Sequence, residues 1–211
     1  MNNGTFDFNK FLKESKETLL NPKSYFSSMK DSGGFTEPLI KALIYGITTG
    51  IIYLIFYFFK IQTLGLGYMG NAVGFGEFFR IVISAVIGLF IGAVILLIIS
   101  SICKGNTDFE INTRVSASLM VVMPIYALLS IFMGIYIYLG FVINLILFIY
   151  MLWLLYNGLC ETLKCKKESA RIVCYVFITI LVLVLLLELR NIAKVNRFNR
   201  DTKRFLKELK Q

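Results

Sequence analysis

The chain has 211 residues, of which 57% are hydrophobic and 17% charged, with a formal net charge of +9 and no histidine. The apolar share exceeds the roughly 45–50% of an average water-soluble domain, and without histidine neither a Ser-His hydrolytic triad nor an HExxH zinc helix can be built. Most of the chain must be read against lipid, where every backbone N–H and C=O needs a partner inside the protein and only helices or closed barrels cross.

Residues 1–38 contain no uninterrupted apolar run of the signal-peptide kind, so targeting is expected to rely on the first span. Asn3-Gly4-Thr5 matches a glycosylation acceptor and is read as a chance match. Asp7–Leu20 has the period of an amphipathic helix, with Phe8, Phe11, Leu12, Ser15 and Leu19 on one side and Lys10, Lys13, Glu14 and Glu17 largely elsewhere. It should end near Asn21-Pro22, because the residue before proline resists the α region. The preferred reading is a helix lying in the plane of the headgroups; the alternative is a helix packed on a neighbour.

Five apolar stretches come next. Leu39–Phe59 carries only Lys41, at its mouth, and Ile81–Ile102 has no charge. Val115–Tyr138 contains Pro124, which is expected to kink it and to mark a packed interior face. Gly140–Cys160 has Asn144 and Asn157 as its polar members. Ile172–Leu187 is the shortest; at about 1.5 Å per residue it covers roughly 24 Å of a core about 30 Å thick. Strand alternation is absent. The expected fold is all-α: a polytopic five-transmembrane-helix bundle with N- and C-terminal amphipathic helices. Its parts are a cytoplasmic segment 1–38, a membrane domain 39–188 and a basic tail 189–211.

Charge sets the direction of the spans. With the N-terminus inside, the inner segments hold twelve Lys and Arg (10, 13, 16, 23, 30, 41, 104, 114, 164, 166, 167 and 171), and the outer loops hold Lys60 and Arg80 alone. That bias satisfies the positive-inside rule over four spans. Cys103, Cys160, Cys165 and Cys174 fall near the same inner side, where thiols stay reduced. Cys160-x4-Cys165 offers too few ligands for zinc. The tail adds eight further positive charges, which an odd number of spans would place outside, against the rule. It keeps a helical period through Ile192, Val195, Phe198, Thr202, Phe205 and Leu209. Arg197, Arg200, Lys203 and Arg204 are therefore expected to contact lipid headgroups, at about 1 kcal/mol per basic residue near the surface. Nucleic acid is not an expected partner, since stacking and groove-entry features are missing.

Candidate chemistry is sparse. Gly65-Leu66-Gly67-Tyr68-Met69-Gly70 matches the dinucleotide fingerprint as a string, but between two membrane helices it lacks the strand, helix and acidic residue that give the motif meaning. No carboxylate pair lies inside an apolar stretch, and Glu161 and Glu188 lie at span ends. No catalytic residue, cofactor or metal is expected. Gly46-x3-Gly50 and Gly88-x3-Gly92 have the spacing of close helix contacts, read first as packing within one chain and otherwise as a subunit interface.

Three stretches carry a resemblance: Asn21-Pro22-Lys23-Ser24-Tyr25-Phe26-Ser27-Ser28-Met29 before Gly33-Gly34 and Glu37-Pro38; Lys104-Gly105-Asn106-Thr107-Asp108-Phe109 running into Arg114-Val115 and Pro124; and Trp153-Leu154-Leu155-Tyr156-Asn157-Gly158-Leu159. In this order they resemble the Yip1-domain family over roughly residues 20–188. The resemblance makes Pro22, Phe26, Gly105, Phe109, Pro124, Asn157 and Gly158 the family-motif positions. It implies a five-helix membrane protein with a cytoplasmic N-terminus. Eukaryotic relatives act in ER–Golgi vesicle traffic, bind Rab-type GTPases and associate with one another. This chain lacks their long N-terminal extension and Asp-Leu-Tyr-Gly-Pro motif, which puts GTPase binding in doubt. It looks more like the short bacterial members, which implies a multi-pass protein of a bacterial cell membrane, or of ER/Golgi membranes in a eukaryote.

The expected function is a non-enzymatic membrane protein that organises lipids or protein partners, by self-association or with another membrane protein. The alternative is a small channel, permease subunit or lipid-moving protein in which Asn144, Asn157, Ser116 and Pro124 line a polar path.

Overall fold

The structure, a computed structural model, describes residues 7–61 and 74–184. Asn3-Gly4-Thr5, the glycine loop 65–70, the end of the fifth apolar stretch and the basic tail with Arg197, Arg200, Lys203 and Arg204 lie outside these residues. Every regular element among the described residues is a helix. In chain order these are α1 (Phe8–Leu20), α2 (Pro22–Ser27), α3 (Thr36–Phe58), α4 (Phe75–Ile102), α5 (Phe109–Leu119), α6 (Val122–Leu129), α7 (Ile131–Ile135) and α8 (Ile137–Asn157). A π-helix, Gly158–Thr162, continues α8 without a break, and a further helix starts at residue 167 and is described to 184. The described residues fall into two units, divided between Arg171 and Ile172. In the described part of the second unit, Thr179 Oγ1 donates to Tyr175 O at 2.9 Å.

Four helical stretches among the described residues are long and apolar enough to cross a membrane: Thr36–Phe58, Phe75–Ile102, Phe109–Leu129 and Tyr138–Thr162. The fifth expected span runs past the described residues. The third differs from expectation at both ends. It starts at Phe109 rather than Val115 because Asp108 caps it, accepting from Glu110 N at 2.7 Å and Ile111 N at 3.2 Å. The polar turn Glu110–Arg114 is therefore helical, although hydropathy discounts it. The span is also two helices rather than one kinked helix. Pro124 has no N–H for Met120 O, and Met123 N donates to that carbonyl instead at 2.9 Å, in a tight turn at Met120–Val121.

Local signals place the other ends. Asp7 caps α1 by accepting from Asn9 N and Lys10 N, and Asn21-Pro22 stops it, with Pro22 at the first position of α2. Lys60 and Lys104 adopt the left-handed conformation just past α3 and α4, at φ 53° and 55°. The next amide in each case reaches back into the last turn: Ile61 N to Phe56 O and Gly105 N to Ser100 O, both at 2.8 Å.

The helices pack with their small residues inward. A Cβ on Gly46 would stand 2.7 Å from Ala85 Cβ, one on Gly50 2.7 Å from the Phe78 ring, and one on Gly92 2.5 Å from Ser116 Oγ. These close approaches are all within the chain, and nothing lies within 4 Å of the corresponding position on Gly88. α5 is the innermost element, with every residue from Ile111 to Leu119 buried. α4 turns Phe79, Ile83, Ile87, Ile91, Ile95 and Ile98 outward. Apolar outside and polar inside is the arrangement that lipid requires.

Candidate functional site

Two of the spans open with the same device. Glu37 precedes Lys41 by four residues in the first turns of α3, and Glu110 precedes Arg114 by four in α5. Residues four apart share a helix face, and carboxylates in a first turn complement the positive end of the helix dipole. Because α3 and α5 are neighbours, the two pairs interlock. Lys41 Nζ lies 3.0 Å from Glu37 Oε1, and Arg114 Nη1 lies 3.1 Å from Glu37 Oε2, so one carboxylate bridges both cations. Arg114 Nε reaches Glu110 Oε1 at 3.4 Å, and the same oxygen accepts from Gly34 N at 2.7 Å.

The N-terminal segment completes the cluster. From α1, Glu14 Oε2 accepts from Lys41 Nζ at 2.7 Å. From α2, the Tyr25 hydroxyl accepts from Lys41 Nζ at 3.4 Å and shares a hydrogen bond with Ser118 Oγ at 2.9 Å. Arg114 Nη2 donates to Gly34 O at 3.3 Å. Gly33, at φ +143°, lies so close beneath the guanidinium that a Cβ there would be 2.5 Å from Nη2. Lys41 and Arg114 are only 7% and 6% exposed, and charges this deep at span ends persist where they are paired. α1 is held by this ion pair, by a 2.8 Å hydrogen bond between Ser15 and Tyr45, and by Tyr150 OH donating to Leu19 O at 2.5 Å. Phe11 packs on the Tyr45 ring, while Phe8, Leu12 and Leu20 on the same helix stay exposed.

Beside the network is a cavity of about 200 Å³. Its wall includes Lys10, Glu17, Ser28, Met29 and Lys30 along with Glu14, Tyr25, Glu37, Lys41, Arg114 and Ser118. A second, more open cavity of about 410 Å³ lies between Trp153 and the residues joining α1 to α2. Neither is lined by Asn144, Asn157, Ser116 or Pro124. Asn157 Nδ2 donates to Trp153 O, one turn back in α8, at 2.7 Å, and Ser116 Oγ of α5 donates to Leu89 O of α4 at 2.9 Å.

The motif positions gather nearby. Pro22 and Phe26 are buried in α2. Phe26 meets the start of the π-helix, where a Cβ on Gly158 would stand 2.9 Å from Val115 Cγ1 and 3.5 Å from the Phe26 ring. Thr162 Oγ1 donates to Phe26 O at 2.7 Å. Gly105 lies against the segment after the π-helix: a Cβ there would be 2.5 Å from Cys165 Sγ and 2.6 Å from Leu163 O, and Asn106 N donates to Leu163 O at 2.7 Å. Phe109 packs its ring on Phe35, 5.9 Å between centroids. Pro124 stands apart, in α6. Segments 7–38, 103–114 and 158–166, read as inner from their charges, thus bond to one another at one end of the bundle.

Cys103 and Cys165 are buried, free thiols in this joint. Burial pushes the Cys165 thiol up to about 11, against a smaller opposing effect of its hydrogen bond with Ser100 Oγ at 3.7 Å. Burial also raises Cys103. Both are held as thiols rather than as the thiolates that react or bind metals. Among the described residues no group of three or more His, Cys, Asp or Glu side chains is placed to hold a metal ion.

The family model described as the Yip1 domain matches residues 16–188. The chain belongs to the Yip1 family. No curated protein and no solved structure matches it. The Yip1 match takes in α2, the 105–109 loop and the Asn157-Gly158 turn, the three pieces that meet at the polar end. The ion network beside them is not anticipated by the sequence reading, which takes Lys41 singly and Arg114 as an inner charge and as part of a motif stretch. Its signal is present all the same, as two Glu-x3-Lys/Arg pairs at the mouths of two apolar stretches.

Proposed function

We propose that this Yip1-domain protein is a non-enzymatic membrane organiser, which holds protein partners or lipids at one end of its helical bundle. The observation that supports the reading most is the concentration of polar groups there. Two buried cations, the carboxylates around them and a cavity lie where all three motif stretches meet, whereas α4 and α8 expose mostly apolar side chains along their lengths. In this reading α1 rests in the headgroup layer through Phe8, Leu12 and Leu20, and Arg197, Arg200, Lys203 and Arg204 add anionic-headgroup contact. The network offers paired charges, with no activated nucleophile beside a base.

The test combines two measurements on the full chain. Extraction in native-membrane nanodiscs should retain a discrete protein or an enriched lipid, and reconstituted liposomes should show no solute flux above empty vesicles. Flux by the wild type that Asn157→Leu abolishes would overturn the reading in favour of a channel or permease subunit.

A further inference from the structure

The wall of the polar-end cavity restricts what can occupy it. It carries both signs of charge: Glu14 and Glu17 on α1 and Glu37 on α3, against Lys10, Lys30, Lys41 and Arg114, with Lys10 paired to Glu14 at 3.5 Å. A simple anion would have to enter beside Glu14 and Glu37, whose oxygens lie 2.7–3.1 Å from the buried cations and already satisfy them. A simple cation would face Lys41 and Arg114. A group that joins an anion to a cation complements both, and about 200 Å³ has room for a small polar headgroup.

The kind of cation is set by the wall. Carboxylates hydrogen-bond to the N–H groups of a primary ammonium. A quaternary ammonium has none and is usually held by aromatic faces. Among the described residues Tyr25 is the one aromatic side chain lining the cavity, and Lys41 Nζ already stands 6.0 Å from its ring centroid. Lys30 and Glu17, at the exposed rim, lie outside the buried network, and Glu17 has only a loose pairing with Lys13 at 4.0 Å. The cavity opens at the mouths of α3 and α5, the depth at which a bilayer places its headgroups.

The geometry points to this cavity as a binding site for a phospholipid headgroup that joins a phosphate to a primary ammonium, the phosphoethanolamine class. Lys30 at the rim faces the phosphate and Glu17 faces the ammonium, with Arg114 and Glu14 behind them in the paired network. The assignment rests on the reading of the protein as an organiser of lipids or partners, and it names the lipid.

The experiment uses the full chain in phosphatidylcholine nanodiscs doped with phosphatidylethanolamine or with phosphatidylglycerol. Retained lipid is read by native mass spectrometry and thermal unfolding. Soluble phosphoethanolamine and inorganic phosphate serve as headgroup-only probes. The expected result is a preference for phosphatidylethanolamine of about tenfold over phosphatidylcholine, the scale of one charge-assisted hydrogen bond. Glu17→Gln and Lys30→Ala should each abolish it while leaving unfolding in pure phosphatidylcholine unchanged. Equal retention of the two lipids, preference for phosphatidylglycerol, or stabilisation by either soluble probe without any lipid preference would each overturn the site. Flux abolished by Asn157→Leu, with phosphatidylethanolamine preference intact, would instead overturn the organiser reading and leave the headgroup site standing.

Discussion

α4 and α5 lie side by side and invert the rule of water-soluble proteins. α4 runs 28 residues with charges only near its start and shows a row of isoleucines to the outside. α5 contains Asn112, Thr113, Arg114, Ser116 and Ser118, and all of them are buried. In water the apolar helix would be inside. In lipid the acyl chains satisfy isoleucine as well as a protein core does, so association relies on close packing and on polar groups finding partners. The helix with the most polar groups to satisfy therefore takes the centre. Ser116 bonds α4, Ser118 meets Tyr25 of α2, and Arg114 meets Glu37 of α3.

That contrast can be broken by substitution. Arg114→Ala should have the largest effect, because it leaves Glu110 and part of Glu37 without a cation; loss of one partner of a buried pair costs about 3–5 kcal/mol. Ile91→Ala on the outward face of α4 should stay within about 0.5 kcal/mol. Unfolding in detergent measures both, and similar losses at the two positions would remove the distinction.

Glycines sharpen the same contrast. Gly105→Ala must push against Leu163 O, a backbone atom at 2.6 Å, and should cost about 1–3 kcal/mol as overpacking. Gly88→Ala meets nothing within 4 Å and should be neutral or slightly stabilising, since alanine is the better helix former by about 1 kcal/mol. Tyr25→Phe comes next, at about 1–2 kcal/mol for the loss of its two buried hydrogen bonds, with Ser118 and from Lys41. The pH effect develops only above pH 9 and is absent at neutral pH. Cys165 is raised from about 9 to about 11 in the fold, so below pH 9 its contribution is fully present and it is lost as pH rises through 11. Cys165→Ala should flatten that decline in an alkaline melting series.

Local physics is the legible part of the fold. Asn21-Pro22 ends α1 because proline forbids continuation, and Ile102 ends α4 as its apolar run does. Hydropathy fails where charge is paired: it discounts Glu110 and Arg114, and so begins the third span six residues late. It also cannot see that Met123 N replaces the N–H that Pro124 lacks, which turns a kink into a break. The motif positions are marked by resemblance, but their meeting depends on contacts such as Thr162 to Phe26, 136 residues apart. The bridge from Glu37 to Arg114 spans 77 residues. Short-range spacing announces each half of that bridge and gives no sign that the halves will join.

Site-specific photo-crosslinking in native membranes tests the claim that recognition belongs to the polar end. A photoreactive residue in place of Ser28, on the cavity wall, should give a discrete adduct with one protein or one lipid class. The same residue in place of Ile91 should give only diffuse labelling by bulk lipid. A discrete adduct at Ile91 with none at Ser28 would contradict the account and move the interaction to the apolar face.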